Sequence, residues 1–164
     1  ILAEYNSKAT FFCVGENVKK HRSIFDRIIQ EGHTIGNHTY NHLNGWNTEN
    51  EVYIQNVAEC DNFMETNLFR PPYGKMKPSQ SSVIKSEKTV VMWDVLSGDF
   101  DLSITKEKCL TNVIENYSQG SVIVFHDNIK AEEKLKYVLP SFLEHLAENG
   151  FVASNLDCLI HEYA

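Results

Sequence analysis

The chain has 164 residues, 42% of them hydrophobic, and a formal net charge of −7. That length suits one domain with its own core, and the composition is ordinary for a globular chain. An acidic balance with no basic stripe argues against nucleic acid as the partner, and no apolar run approaches the ~18 residues of a membrane span.

Ile1-Leu2-Ala3-Glu4-Tyr5 is apolar and helix-favouring, with Asn6 suited to a left-handed stop. No cap residue opens that turn, and no basic, apolar, small-residue leader is visible. Ala9-Thr10-Phe11-Phe12-Cys13-Val14-Gly15 is a continuous apolar run halted by glycine, which reads as a buried strand of the parallel type. Val18, Ile24, Phe25, Ile28 and Ile29 then recur at roughly helical spacing, with Gly32 as the stop. Thr34-Ile35-Gly36 reads as a short strand. Thr48-Glu49-Asn50-Glu51 has the pattern of a capping box, opening a helix through Val52, Ile54, Val57, Ala58 and Met64. Leu68-Phe69 is another short strand, and Pro78-Ser79 opens a helix to about Ser86.

Thr89-Val90-Val91-Met92-Trp93 is β-branched and apolar, a strand pattern. Thr105 or Ser103 caps a helix carrying Leu110, Val113 and Ile114. Gly120 ends the connection into Val122-Ile123-Val124-Phe125, a further buried strand. Leu135, Val138, Leu139, Phe142, Leu143 and Leu146 make the apolar face of a long helix, with Gly150 past its end and Phe151-Val152-Ala153 closing as a strand. Cys13, Cys60, Cys109 and Cys158 form no Cys-x-x-Cys pair, which argues against a thiolate zinc site and for reduced core thiols.

Strand and helix alternate at about 25 to 35 residues, the βαβ spacing of a parallel sheet. Helix-covered parallel strands form either a barrel or a doubly wound sheet. Four polar clusters decide between them: His38-Thr39-Tyr40-Asn41-His42, Arg70-Pro71-Pro72-Tyr73-Gly74, Ser97-Gly98-Asp99-Phe100-Asp101 and His126-Asp127-Asn128. Each comes after an apolar run, and in a barrel the strand C-terminal ends share one face. A barrel is favoured. With about six strands it falls short of the ~250 residues of an eight-unit barrel, so a smaller or incomplete barrel is expected.

His38 and His42 have a spacing at which two neutral imidazoles can grip one divalent metal. His126 suits general acid work, because an imidazole ordinarily titrates near 6.5. Asp94, Asp99 and Asp101 are the acids that compete to partner it. Asp127 reads as a loop cap. His21, His33, His145 and His161 read as surface or boundary histidines.

In order along the chain, these clusters resemble the polysaccharide deacetylases, the NodB-homology domains of carbohydrate esterase family 4. The matching motifs are His38-Thr39-Tyr40-Asn41-His42, Arg70-Pro71-Pro72-Tyr73, Asp99-Phe100 and Val124-Phe125-His126. The resemblance implies a distorted (β/α) barrel of about seven strands and a divalent metal, zinc by preference. It implies hydrolysis of acetyl groups from an acetylated amino-sugar polysaccharide, with a glycan as partner. His38 and His42 become metal ligands, and Thr39 orients their loop. His126 becomes the general acid and Asp99 its carboxylate partner, since Phe100 comes after Asp99 as the family's aromatic does. Arg70 orients the catalytic-base aspartate, and the Tyr73 backbone N–H faces the oxyanion. Phe100 and Val124 wall the acetyl pocket, where the family more often has tryptophan and leucine. Pro72 lies in the turn at the substrate groove.

The family opens with Thr-Phe-Asp-Asp-Gly-Pro on its first strand, ahead of the segment matching residues 9–15. One aspartate completes the metal triad and the other is the base. Nothing in this chain matches that motif, so its first strand is expected to precede Ile1. Two histidines alone are expected to hold metal weakly and to support little turnover. A non-catalytic glycan-binding domain that lacks the base is the alternative.

Overall fold

Phe11 and Phe12 lie in β1 (Thr10–Cys13), the terminal strand of a four-stranded parallel sheet in the computed structural model, which describes residues 1–157. Cys158 and His161 lie outside the described residues. β2 (Thr34–Asn37), β3 (Leu68–Phe69) and β4 (Thr89–Val90) succeed β1 in that order across the sheet. Thr10 stands opposite Thr34, Cys13 opposite Asn37, Asn37 opposite Phe69, and Phe69 opposite Val90. These strands belong to one of two units, built from Ala9–Met92 with residues 155–157.

The single helix expected after β1 is two. α1 (Gly15–Lys20) ends and α2 (Arg22–Gln30) begins at His21, whose φ of −129° and ψ of 50° are not helical. His21 closes α1 by donating its amide to the Asn17 carbonyl and starts α2 by accepting from Ile24 and Phe25. Val18 and Phe25 still reach one core, with Cys60 and Met64. Gly32 takes the left-handed φ of 73° that stops α2.

The capping box does not form. α3 (Asn50–Asp61) has Glu49 at its N-cap, with no side-chain bond to the helix. Thr48 is engaged elsewhere: its hydroxyl donates to the Asn44 carbonyl at 2.8 Å and closes the 3₁₀ turn Gly45–Asn47. The buried face of α3 is Tyr53, Asn56, Val57 and Cys60, while Val52 and Ala58 face solvent and Met64 lies past the end. α4 (Pro78–Ile84) then packs beside α3, with Tyr53, Val57, Phe69 and Ile84 forming a second cluster.

His33 is a boundary residue whose side chain turns inward. Its side chain is 5% exposed, its Nδ1 accepts the Ala9 amide at 3.3 Å, and its ring leans on Phe11. Cys13 is half-buried rather than buried, and Cys60 is fully buried; Cys60 and Cys109 are free thiols.

The run 89–93 is a strand only at β4. Arg70 explains why: its guanidinium takes the carbonyls of Val91 (3.1 Å) and Met92 (3.1 Å), withdrawing them from a ladder.

The second unit holds Ile1–Lys8 and Trp93–Ser154. β5 (Val95–Leu96), which sequence reading missed, pairs in parallel with β6 (Ile123–Val124). Asp94 guides the pairing, its Oδ2 accepting the Val122 amide at 2.7 Å. α5 (Lys106–Ile114) starts at Thr105, whose hydroxyl caps the Lys108 amide. α6 (Glu132–Glu148) packs on α5, and Val138, Phe142, Leu143 and Leu146 join Val95, Cys109 and Val113 in the unit's core. Leu2, from a 3₁₀ turn ended by left-handed Asn6, packs against the same core.

Residues 151–153 form no strand. The Phe151 amide bonds back to the Leu146 carbonyl at 2.8 Å, Gly150 turns the chain at φ 76°, and Val152 is exposed. The end of α6 therefore folds over itself instead of extending. No helix among the described residues is long and apolar enough to cross a membrane.

Candidate active site

Asn37, the last residue of β2, is fully buried and anchors the start of the histidine loop. Its Nδ2 donates to the Val57 carbonyl (2.9 Å) and to Asp61 Oδ1 (2.8 Å), and its Oδ1 accepts the Thr39 amide (2.8 Å). Asp61 also takes the Lys88 ammonium at 2.8 Å. The strand end is thus tied to α3 before the loop begins. Thr39 then adopts a φ of 62° and His42 a φ of 58°. Left-handed backbone is costly for a β-branched residue and persists only where surroundings enforce it. Here the Thr39 hydroxyl accepts the Leu43 amide (3.1 Å) and its carbonyl accepts the Gly15 amide (3.0 Å). Asn56 holds the middle of the loop, its Oδ1 accepting the amides of Tyr40 and Asn41.

With those two reversals the rings of His38 and His42 meet edge to face, centroids 4.9 Å apart, without any helix beneath them. His38 Nδ1 lies 2.6 Å from the Arg70 carbonyl. A carbonyl only accepts, so Nδ1 carries the proton and the lone pair sits on Nε2, the tautomer of a metal-ligating imidazole. The pair fits a divalent ion as two of its ligands. Among the described residues, no group of three His, Cys, Asp or Glu gathers to hold one.

Arg70 comes directly after β3, where strand pairing also bonds its amide to the Asn37 carbonyl at 3.0 Å. Besides its two carbonyl acceptors, the guanidinium lies 4.1 Å from the Phe12 ring centroid. Burial lowers its pKa to about 10, which leaves it charged at neutral pH. Pro71 and Pro72 are fully buried. They set the 3₁₀ turn Pro72–Gly74, in which Tyr73 takes a φ of 60°. The amides that close this turn belong to Gly74 and Lys75, not to Tyr73. Tyr73 is 60% exposed, and its ring packs 4.7 Å from the His42 ring.

The other unit assembles Asp99, Phe100 and His126. Ser97 leaves β5, and Gly98, at φ 78°, turns the chain. The Ser97 hydroxyl accepts the Asp99 amide (3.3 Å), while its carbonyl is held by Asn112 Nδ2 (3.0 Å). Asp99 is fully buried, and both of its oxygens serve His126: Oδ1 lies 2.7 Å from Nδ1, and Oδ2 accepts the His126 amide at 2.7 Å. Nδ1 is thereby the protonated nitrogen facing the acid, and the side chain, about a third exposed, presents Nε2 for proton transfer. Asp94 is occupied by the Val122 amide. Asp101 binds the Ser103 hydroxyl and amide, which hold its carboxyl below the usual range. Of the three competing acids, Asp99 is the one on His126.

Phe100 is 42% exposed and stacks edge-on to His126, centroids 4.8 Å apart. Val124 is nearly buried within β6. Asp127 does not cap the next loop; Asn128 does, its Oδ1 accepting the Ala131 amide at 3.1 Å. Sequence reading missed Asn37, Asn56 and Gln80. Their only signal is a polar side chain in or beside an apolar run, where nothing distinguishes a buried bridge from a solvated residue.

The family model described as Polysaccharide deacetylase matches residues 1–89. A peptidoglycan-N-acetylglucosamine deacetylase of Bacillus cereus is 33% identical over 132 residues, 76% of this chain and 48% of its own length. Chitin deacetylase 2 of Saccharomyces cerevisiae is 31% identical over 141 residues, 78% of this chain and 45% of its own. The chain therefore spans about half the length of these two relatives. A crystal structure of a peptidoglycan N-acetylglucosamine deacetylase in complex with 4-naphthalen-1-yl-N-oxidanyl-benzamide matches with a TM-score of 0.84 at 29% identity. That match covers 94% of this chain and 76% of the other. The fold is accordingly α/β with parallel strands, of the deacetylase (β/α) barrel type.

Proposed function

The chain belongs to the polysaccharide deacetylase family, and from that membership and its histidine chemistry we propose that it N-deacetylates an acetylated amino-sugar polymer. The observation that carries the reading is the buried Asp99 carboxylate gripping His126 through both oxygens, at a motif position where the family keeps its acid. The relatives are named for peptidoglycan N-acetylglucosamine and for chitin. Their shared chemistry, an N-acetylated glucosamine unit, is the substrate class proposed.

An acetamide is a poor electrophile. Its hydrolysis needs an activated water, a stabilised oxyanion and a proton for the departing amine. The family is metal-dependent, and His38 with His42 would hold the divalent ion, zinc by preference. When bound, such an ion supplies Lewis acidity toward water and the acyl oxygen. His126 delivers the proton: Asp99 fixes Nδ1–H, so Nε2 is the nitrogen that protonates the leaving amine. Two buried prolines set the turn that carries Tyr73, whose amide would serve the oxyanion as a backbone donor. Arg70 positions rather than reacts, since its carbonyl orients His38 and its guanidinium is spent on backbone acceptors. By the family resemblance, Phe100 and Val124 would wall the acetyl pocket and Pro72 would lie in the turn at the substrate groove.

The test is acetate release from fully N-acetylated chito-oligosaccharides by zinc-loaded protein, before and after chelation. Release that stops on chelation and returns with zinc supports the proposal. Glycan binding with no release under any metal would leave a glycan-binding module instead.

A further inference from the structure

Trp46 is the largest exposed side chain left outside this chemistry, at 59% exposure. Single exposed apolar residues are ordinary. What sets Trp46 apart is the rigidity of the turn beneath it. The 3₁₀ turn Gly45–Asn47 is capped by Asn44, whose Oδ1 accepts the Trp46 amide at 3.0 Å. Fully buried Gln80 donates to the Gly45 carbonyl at 3.0 Å. The Gly45 amide donates to the Lys75 carbonyl at 3.1 Å. A Cβ on Gly45 would come within 2.6 Å of that carbonyl and 2.7 Å of Gln80 Oε1, so glycine is required for the two turns to touch. Lys75 then places its ammonium over one face of the indole, 5.0 Å from the centroid, which leaves the opposite face for a ligand.

The turn that carries Lys75 also carries Tyr73, whose ring lies on His42. The turn that carries the indole is thus joined by the Gly45–Lys75 backbone bond to the Tyr73 turn, whose ring contacts His42, all within one unit. We propose that Trp46 with Lys75 is a subsite for a second pyranose ring of the same glycan, adjacent to the unit that loses its acetyl group; this rests on the deacetylase reading above. The chemistry fits a sugar. A pyranose has an apolar C–H face, which a flat indole covers at low entropic cost, and a rim of hydroxyls, for which an ammonium offers three donors. A platform already held by its own turn loses little freedom on binding.

The experiment measures calorimetric Kd and steady-state KM for tetra-N-acetylchitotetraose with wild type, Trp46→Ala and Trp46→Phe. The expected result is that Trp46→Ala raises both constants about tenfold, the size of one aromatic contact, with kcat unchanged and most of the loss recovered in Trp46→Phe. An unchanged Kd for Trp46→Ala, or no tetraose binding by the wild type, overturns the subsite. If wild type binds the tetraose but releases no acetate, the deacetylase reading fails. The Kd comparison then still decides the subsite.

Discussion

Asp99 holds His126 at two points, side chain and backbone, each at 2.7 Å. One carboxylate therefore fixes both the tilt of the imidazole and the loop that carries it. Asp99→Asn keeps the size and loses the charge, and it presents an amide to a nitrogen that needs an acceptor. Acetate release by Asp99→Asn should fall by ~10²-fold or more, with KM little changed. His126→Ala should fall by a similar factor, and the double variant by no more than either single, because the two act as one unit. Equal turnover by His126→Ala and wild type would remove His126 from the mechanism.

Tyr53 is fully buried, and its hydroxyl finds no partner among the described residues. Burial alone drives its pKa upward. An unpaired hydroxyl costs about 1–3 kcal/mol, so Tyr53→Phe should stabilise the chain by about 1 kcal/mol. Calorimetry should find a melting temperature higher by about 2–4 °C. A lower one would mean that the hydroxyl is satisfied.

Gly36 leaves room for a ring. A Cβ there would sit 2.5 Å from two carbons of Phe12, and Phe12 in turn carries the Arg70 guanidinium. Gly36→Ala should cost about 1–3 kcal/mol by overpacking, read as a lower urea midpoint. Phe12→Leu added to it should cost less than the sum of the two single changes.

The Cys60 thiol supplies a pH dependence with a definite sign. Burial pushes it up to about 11 from its ordinary 9.0. The unfolded chain therefore releases this proton first as pH rises. The stabilisation is whole below about pH 9 and is lost as pH passes 11. Urea midpoints taken from pH 8 to 11 should fall more steeply for wild type than for Cys60→Ala. Parallel slopes would show that other groups carry the whole effect.

Where hydrophobic residues ran long, the fold was legible: β1, α5 and α6 lie where their apolar spacing put them. It failed where side chains compete with the ladder. Arg70 takes two carbonyls and cuts a five-residue expectation to β4. β5 is only two residues long and comes after Asp94, so no period could reveal it. Thr48 carried the right letters for a cap but closes the preceding turn instead. In the site, Asp99 could be chosen from three acids by its neighbour Phe100. Asn37 could not be found, because a buried amide bridging a strand to a helix has no sequence period at all.

Thr39, His42 and Tyr73 all hold backbone that glycine would occupy without strain. A library randomised at these three positions and sorted only for folded protein should therefore drift toward glycine and asparagine. One sorted for acetate release should hold its original letters wherever the side chain matters. The contrast between the two enrichment profiles would separate what chemistry demands from what architecture merely tolerates, position by position.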